Sequence, residues 1–422
     1  MKSILIKNAY IASMTSPISK ADLLIEDNRI TEIGIIDRDA DKVIDASGKV
    51  IMPGFINAHT HIAMSLFRGY SDDLELMDWL KEVWKVEDLM TPEDVYWASL
   101  LSMIEMVKSG TTTFADHYFY EEETAKALTK LKMRAMLARC VIGDEDGADT
   151  RLAESEELYN SWHNKENERI KICVGAHATY TCPPETIKKC LELSKKLDTP
   201  LHIHYLETLD EVEQMQEKYK KSTTNYLDEL GVLENHLILA HGVHLTDDDI
   251  DAIKHIKGGI VHNPISNQKL GSGIANIKKL RENEITVSLG TDGQGSTNTL
   301  DMFEEIKSAA YLQKVTYKSA TAIAAQDVLK MATIEGAKTL GLEKEIGSLE
   351  VGKKADIIII DLNRPHLCPV HDIYSTLAYS ANGADVETVI VDGNILMENR
   401  KILGIDEEEV MTKCNDIVQR LF

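Results

Sequence analysis

Two histidines separated by one residue follow an apolar run near the beginning of the chain. Residues 50–56 are apolar apart from Pro53 and Gly54, and they lead into Asn57-Ala58-His59-Thr60-His61. In a β-strand, residues two apart project to the same side. His59 and His61 would therefore direct two imidazoles to one point, which suits a divalent metal ion. Such a pair also occurs in ordinary protein cores, so the rest of the chain must decide.

Further histidines and carboxylates stand at or near the ends of later apolar runs. They are His177, His202, His204, Glu207, His241 and Asp292. In a barrel of parallel strands, catalytic groups lie at the carboxyl ends of the strands, which share one rim. The sequence therefore predicts one site assembled from several strands.

Three imidazoles and a carboxylate would complete a metal shell, with ligands His59, His61, His204 and Asp292. These donors suit Zn²⁺ with an open position for water, and Fe²⁺ or Mn²⁺ could bind the same set. His202 and His204 would share a strand face, so alternation does not distinguish them. We favour His204 because it is nearer the strand end and because Glu207 follows three residues later. His202 is then expected to be a histidine of the barrel interior.

A metal-activated water needs a group that takes its proton and a group that protonates the leaving group. Glu207 is placed to shuttle that proton, Asp292 to orient the water and His241 to polarise it. Taken singly, Glu207 could be a residue at the start of a helix and His241 a buried histidine. Catalysis explains the whole set better than three separate structural roles do.

Eight short apolar runs alternate with amphipathic segments in the middle of the chain. The predicted strands are 55–61, 111–117, 134–141, 172–178, 201–206, 237–242, 259–263 and 285–291. The predicted helices between them include 91–108, 121–132, 184–197, 209–220 and 247–255. This order predicts an α/β fold, a (β/α)8 TIM-like barrel.

The two ends of the chain have a different pattern, with short β-like runs and turn residues at 21–30, 355–361 and 386–396. Neither end has enough strands for a stable sheet of its own. We therefore expect residues 1–52 and 346–422 to form a composite β-sandwich domain with a C-terminal segment. Residues 53–345 would form the catalytic barrel, and a helix over about 321–340 would connect the two.

Composition excludes several classes of partner. The net charge of −23 argues against a nucleic-acid or anionic-membrane surface. No apolar run approaches the length of a membrane span, and no secretory leader is apparent at the first residues. Six scattered cysteines without a CxxC pair indicate reduced thiols. We expect a cytoplasmic protein that binds neither nucleic acid nor membrane.

Several motifs together resemble the amidohydrolase superfamily. They are the segment 53–61, His204-x-x-Glu207, Ala240-His241-Gly242, the segment 262–270 and Gly290-Thr291-Asp292-Gly293. The segment 347–356 is also typical of the β-sandwich in this superfamily. Within the superfamily, essentially the whole chain resembles the 5-methylthioadenosine/S-adenosylhomocysteine deaminases, a group that includes 5'-deoxyadenosine deaminases.

This resemblance implies hydrolytic deamination of adenine at C6 in adenosine, 5'-deoxyadenosine, 5'-methylthioadenosine or S-adenosylhomocysteine. The products would be the inosine analogue and ammonia, with Glu207 carrying a proton to the ring. The family also implies one divalent metal per subunit and a homo-oligomer, with a tetramer as a candidate state. Binuclear relatives use a carboxylated lysine at the end of strand four, where this chain has residues 175–178 without lysine. A mononuclear site is expected.

Substrate residues follow from the same resemblance. Glu87 matches the carboxylate that holds the ribose hydroxyls, although by itself it could be a solvated helix charge. His177 matches a histidine that contacts the nucleoside, and Ser296 is also expected to contact the ligand.

Two arginines match positions that face the 5' substituent, where a guanidinium could pair with an amino-acid carboxylate. They are Arg139 and Arg151, of which Arg151 could equally be an exposed charge. His117 replaces an expected apolar residue and leaves the preferred 5' group open.

Two alternatives remain open at the level of the sequence. One keeps the metal chemistry but acts on another ring, such as guanine, cytosine or a triazine, and a dispensable Glu87 would support it. The other is a non-catalytic scaffold that works by assembly. Scaffolds of that kind usually lose metal ligands, whereas here every proposed ligand is present. Metal analysis of the protein would separate the two classes.

Overall fold

The computed structural model describes residues 2–143 and 145–422. Its first five strands precede the barrel. They are β1 Ser3–Ile11, β2 Ser19–Glu26, β3 Arg29–Gly34, β4 Lys42–Asp45 and β5 Lys49–Pro53. β1 pairs antiparallel with β2 and parallel with β4 and β5. Between β2 and β3, Asp27 takes a left-handed backbone conformation that reverses the chain in a tight turn.

The next eight strands form the predicted barrel, each parallel to the one before it. They are β6 Phe55–Thr60, β7 Thr111–Tyr118, β8 Arg134–Val141, β9 Ile170–Ala176, β10 Leu201–Tyr205, β11 His236–His241, β12 Lys257–His262 and β13 Val287–Leu289. β6 and β7 are buried along their whole length, as expected for parallel strands covered on both faces.

A side chain closes the barrel between its first and last strands. The backbone N–H of Thr291 donates to Asn57 Oδ1 at 3.0 Å, and Asn57 Nδ2 donates to the Thr291 hydroxyl at 2.7 Å. The N–H of Asp292 also donates to the carbonyl of His59 at 3.0 Å. These bonds set the distance between the segments that carry His59 and Asp292. They also explain why β13 is shorter than the predicted 285–291, because Thr291 bonds to a side chain there.

Four strands after the barrel complete a mixed sheet with the first five. They are β14 Ile357–Asp361, β15 Val386–Val391, β16 Asn394–Glu398 and β17 Lys401–Ile402. β5 pairs antiparallel with β14, with Ile51 opposite Ile359, so both ends of the chain build one nine-stranded sheet. Isoleucines of both ends, including Ile4, Ile25 and Ile357, share one apolar cluster. The prediction that neither end forms its own sheet is confirmed.

Helices cover the outside of the barrel and the sheet. They are α1 Leu76–Glu87, α2 Pro92–Lys108, α3 Glu121–Leu131, α4 Glu145–Trp162, α5 Lys165–Glu168, α6 Pro184–Leu197, α7 Leu209–Tyr219, α8 Thr223–Glu229, α9 Asp247–Ile253, α10 Pro264–Lys269, α11 Ile277–Glu282, α12 Gln294–Thr297, α13 Met302–Thr316, α14 Ala325–Met331, α15 Ile334–Leu340, α16 Ile373–Ser375 and α17 Glu407–Leu421. Thr91 begins α2 with a reciprocal capping box with Asp94, and Thr246 begins α9 in the same way with Asp249.

The single helix predicted over about 321–340 is wrong, because the structure divides that segment into α14 and α15. The division has a physical cause at Ala332, whose carbonyl accepts the N–H of Ile56 at 2.8 Å. Thr333 leaves the helical region with φ −136° and ψ −98°. The carbonyl of Ala332 is thus bonded to strand β6, and α14 ends before it.

Within the described residues, the helices are all too short or too polar to cross a lipid bilayer.

Candidate active site

A cavity of about 590 Å³ opens at the carboxyl ends of the barrel strands. One end is deep and polar, formed by His61, His204, Glu207, His241 and Asp292. The other end opens towards solvent between α1 and the residues that follow β8. The strand ends that the sequence predicted to share a rim therefore surround one cavity.

The four proposed metal ligands converge at the deep end. Asp292 Oδ1 lies 3.2 Å from His61 Nε2 and 3.5 Å from His59 Nε2. His204 Nε2 lies 3.3 Å from His61 Nε2. His59, His204 and His241 also bring their ring nitrogens within 4.8 Å of one another. Groups from β6, β10, β11 and the turn after β13 therefore meet at one point.

The hydrogen bonds behind these rings show that a cation fits between them. His61 Nδ1 donates to the carbonyl of His117, and His204 Nδ1 donates to the carbonyl of His177, both at 2.7 Å. A carbonyl only accepts, so each Nδ1 carries a proton, and in the neutral ring each Nε2 offers a lone pair. The two Nε2 atoms lie 3.3 Å apart. His59 Nε2 is buried, and Asp292 Oδ1 lies 3.5 Å from it. A divalent metal would be bound by these converging nitrogens, because three neutral imidazoles with one carboxylate are donors that it prefers.

The carboxylate of Asp292 is fixed from behind. The hydroxyls of Ser266 and Ser296 lie 2.7 and 2.9 Å from Oδ2, and the N–H of Gly293 donates to Oδ1 at 2.9 Å. Burial opposes ionisation, but the hydrogen bonds with His59 and His61 outweigh it and hold the Asp292 pKa well below its usual range. Asp292 therefore stays an anion.

Two backbone positions at this end lie in the left-handed region without being glycine: His241 with φ 78° and Asp292 with φ 66°. Such conformations are unfavourable for residues with a Cβ and are found where the surrounding structure imposes them. Both side chains are thereby aimed into the deep end.

Ser296 differs from its expected place. We expected it to contact the ligand, but in the described structure it stands behind Asp292 and outside the cavity lining. Ser296 lies in α12, the short helix after the strand-eight turn, and this helix directs its hydroxyl back to the carboxylate. The described structure therefore shows Ser296 in contact with Asp292, and its contact with a ligand stays a prediction.

Glu207 and His241 face each other beside the metal ligands. Glu207 Oε2 lies 3.8 Å from His241 Nε2, and both side chains are buried. Burial raises the pKa of Glu207, while the charge of nearby His241 opposes that rise. His241 Nδ1 is bonded to Asn267 Oδ1 at 2.9 Å, which turns Nε2 towards the cavity. A carboxyl group that holds its proton more readily than usual suits proton transfer near neutral pH.

Glu87 ends α1 and reaches the cavity wall. The hydroxyl of Tyr118 donates to Glu87 Oε1 at 2.5 Å. Glu87 is partly buried in the cavity wall. This burial raises its pKa to about 7, although the Tyr118 hydrogen bond opposes the rise. Its second oxygen can accept hydrogen bonds from a ligand.

The apolar face of α1 forms one wall of the cavity, with Trp79, Leu80, Val83 and Trp84. Flat aromatic side chains and aliphatic groups suit a planar heterocycle that is held mainly by burial. His177 contributes to another wall, with Nδ1 2.7 Å from the Thr181 hydroxyl. Burial lowers the pKa of His177 to about 3, so it presents a neutral ring.

The open end carries charged side chains, as the sequence predicted for the two arginines. Arg139 and Arg151 both line the cavity. Arg139 Nε pairs with Glu154 Oε2 at 2.7 Å, and Arg151 Nη1 donates to the carbonyl of Ile142 at 2.7 Å. Glu154 also lines the cavity and is 47% exposed. The charge at this end is therefore partly neutralised within the protein.

Sequence reasoning assigned no part in the site to several residues that contact it, and expected His202 to be a histidine of the barrel interior. They are Tyr118 against Glu87, Ser266 against Asp292, Asn267 against His241, Glu154 against Arg139, and His202 against His59. Ser266 and Asn267 belong to a motif noted in the sequence, but spacing alone does not show which side chain a polar residue will contact. Tyr118 and Glu154 lay in segments with no motif at all.

Comparison with known proteins gives one family. Residues 50–396 match the family described as the amidohydrolase family. The chain is 47% identical to the 5-methylthioadenosine/S-adenosylhomocysteine deaminase of Caldanaerobacter subterraneus subsp. tengcongensis, covering 99% of this chain and 98% of the relative. It is 46% identical to the 5'-deoxyadenosine deaminase of Methanosarcina acetivorans, covering 100% and 99%. The crystal structure of a zinc-bound adenosine deaminase from Xanthomonas campestris is similar over 100% of this chain and 98% of that chain, with TM-score 0.96 and 30% identity.

Proposed function

Because this chain belongs to the amidohydrolase family, we propose that it is a metal-dependent hydrolytic deaminase of 5'-modified adenosines. It converts the adenine of nucleosides such as 5'-deoxyadenosine, 5'-methylthioadenosine, S-adenosylhomocysteine or adenosine to hypoxanthine. Water is consumed, the C6–N bond is broken and ammonia leaves.

One observation carries this proposal: a single cavity holds the metal ligands with Glu207 and His241 at its deep end and Glu87 on its wall. The metal ligands with Glu207 and His241 suit hydrolysis of a C–N bond, and Glu87 suits binding of a sugar with vicinal hydroxyls. A cavity of about 590 Å³ is within the range that holds small ligands.

The metal is proposed to be one Zn²⁺ per subunit, held by His59, His61, His204 and Asp292. Support comes from the donor set and from the similar structure that is described with bound zinc. When bound, such an ion lowers the pKa of water so that a nucleophile is available at neutral pH.

Glu207 moves the protons in this proposal. Its raised pKa allows the carboxyl group to hold a proton and to deliver it to N1 of the adenine ring. Protonation at N1 makes the adjacent C6 more electrophilic, so that water can add there. The Glu207 carboxylate takes a proton from that water and passes it to the amino group, which leaves as ammonia, and it regains its proton when the C6 hydroxyl becomes the carbonyl. His241, with Nε2 turned to the cavity, orients the water. Asp292 remains an anion on the side of the water opposite His241.

The rest of the cavity binds the nucleoside. Glu87 accepts hydrogen bonds from the ribose hydroxyls, while Trp79 and Trp84 cover apolar surface. The 5' group is then directed to the open end, where Arg139 and Arg151 lie. A neutral His177 completes the wall near the base.

The experiment is ammonia release by Zn²⁺-loaded protein, followed with the absorbance change from adenine to hypoxanthine. The substrates are the four nucleosides named above together with free adenine, guanine and cytosine. We expect turnover of the nucleosides and not of the free bases, and the kcat/KM order identifies the preferred 5' group. Turnover of a free base alone, or no turnover by protein that contains the metal, would overturn the proposal.

A further inference from the structure

His59 differs from the other histidines of the site in what holds its Nδ1 atom. His61 and His204 are held by backbone carbonyls and His241 by an amide oxygen. His59 Nδ1 instead lies 2.8 Å from Nε2 of another histidine, His202. Both rings are wholly buried, with 0% of each residue exposed.

The geometry fixes the protons of this pair. His59 Nε2 faces Asp292 and the other ligands and must be unprotonated to bind a metal, so Nδ1 carries the hydrogen. His202 Nε2 is then the acceptor and must be bare. The proton of a neutral His202 therefore lies on Nδ1, which has no partner among the described residues.

The ring of His202 packs between two other histidine rings. Its ring stacks on His117 at 4.9 Å between centroids, and it lies edge-on to His59 at 5.0 Å. His117 itself occupies space that only a glycine at position 175 provides, because a Cβ there would lie 2.6 Å from His117 Nε2. The ring of His202 is thus packed between those of His117 and His59.

We propose that His202 is a positioning residue that selects the metal-binding tautomer of His59 by accepting its Nδ1–H. This inference rests on the metal site proposed above and goes beyond it. Partners of this kind orient a ligand ring and raise its basicity, and their loss typically weakens metal binding by about 10–100-fold. A histidine that accepts this hydrogen bond differs from a carbonyl acceptor, because its own ring must be in the tautomer with an unprotonated Nε2.

Three variants separate this role from simple packing. His202→Leu removes the acceptor but keeps a bulky side chain, and His202→Gln places a carbonyl oxygen near the former Nε2. His262→Leu is the matched control, since His262 is a buried barrel histidine with both ring nitrogens unpartnered among the described residues. The measurement is the Zn²⁺ dissociation constant by competition with a chromophoric chelator, with thermal unfolding recorded alongside.

We expect H202L to bind Zn²⁺ about 10–100-fold more weakly than the wild type, H202Q to recover most of the affinity and H262L to bind normally. Unchanged affinity in H202L, or equal weakening in H202L and H202Q, would overturn the inference while leaving the metal site standing. Wild-type protein that binds no Zn²⁺ would overturn the proposed site and this inference together.

A second measurement needs no substitution that could prevent folding. Histidine labelled with ¹⁵N in the Zn²⁺-loaded wild-type protein reports the tautomer of each ring. We expect His202 as the Nδ1–H form and His59 with Nδ1 protonated and Nε2 bound to metal. A His202 ring that is protonated on Nε2 contradicts the inference, because it could not accept the hydrogen bond.

Discussion

The deep end and the open end of the cavity differ in how their charged groups are held. At the deep end, Asp292 is buried and bonded to two serine hydroxyls and a backbone N–H. At the open end, the pair between Arg139 and Glu154 is partly exposed, with Glu154 at 47%. At the deep end, the carboxylate is thus held by one fixed set of hydrogen-bond donors. At the open end, water can replace one partner of the ion pair.

This difference separates the chemistry from the choice of substrate. A buried polar group that loses its partner costs about 1–3 kcal/mol, so the deep end resists rearrangement. An exposed ion pair contributes only about 0–1 kcal/mol and can exchange partners with a ligand. We therefore expect substitutions at the deep end to affect all substrates alike and those at the open end to affect only the preference for the 5' group.

The largest effect is expected for Asp292→Asn. Loss of the negative charge removes a metal ligand, and we expect kcat/KM to fall by about 10⁴-fold or more for every nucleoside, with reduced metal content. Steady-state kinetics and metal analysis measure both quantities. Ser296→Ala is the matched control, because it removes one hydrogen bond to Asp292 and should cost no more than about 100-fold. Equal activities of D292N and the wild type would contradict the comparison.

Glu207→Gln comes next and tests proton transfer without removing a metal ligand. We expect kcat/KM to fall by about 10²–10⁴-fold, by the same factor for each nucleoside, with metal content unchanged. Glu213→Gln serves as control, since Glu213 is exposed on the following helix. A factor that differs strongly between 5' groups would show that Glu207 contacts the variable part of the substrate instead.

Glu87→Gln should have an intermediate effect that depends on the sugar. Hydrogen bonds to a charged group contribute about 1.5–3 kcal/mol, so we expect kcat/KM to fall about 10–100-fold for ribonucleosides. An analogue without both ribose hydroxyls should be insensitive to the substitution. If the ribonucleosides are equally insensitive, Glu87 is not the sugar ligand, and a ring without ribose becomes the better substrate hypothesis.

The same carboxyl group predicts a pH dependence. Because burial raises the Glu87 pKa to about 7, the accepting carboxylate is present above that pH and lost below it. The kcat/KM for ribonucleosides should therefore rise with pH through about 7, and this component should be absent in E87Q. Tyr118→Phe removes the hydrogen bond that lowers this pKa, so the midpoint should move to higher pH. A midpoint that moves down in Y118F would contradict the assignment.

The smallest effect is expected at the open end. Glu154→Gln frees Arg139 from its partner, and kcat/KM should rise up to about fivefold for S-adenosylhomocysteine, which carries a carboxylate. Values for 5'-deoxyadenosine and 5'-methylthioadenosine should stay the same. Glu156→Gln is the control, because Glu156 pairs with Lys196 and not with Arg139. A uniform change for all three substrates would show that the open end is not where the 5' group is read.

Strand and helix positions were predictable where apolar runs are short and bounded by polar turns. The predicted strand 134–141 coincides with β8, and the predicted helix 184–197 coincides with α6. The prediction was wrong for the segment 321–340, where local pattern gives no sign that Ala332 will bond to Ile56 far away in the chain. Local periodicity reports burial along an element, but it cannot report a hydrogen bond that a distant strand imposes.

By itself, the sequence determined the alternation of strands and helices, the joining of both ends in one β-structure and the set of residues available as metal donors. It could do so because burial follows periodicity and because His-x-His on a strand fixes two side chains relative to each other. Only the tertiary structure decided that Ser296 supports Asp292, that Glu154 occupies Arg139 and that His202 contacts His59. The contact of His59 with His202 joins residues 143 positions apart, and its distance depends on how the barrel strands are arranged. The other two contacts are closer in the chain, but the direction of each side chain depends on the backbone of the turn or helix that carries it.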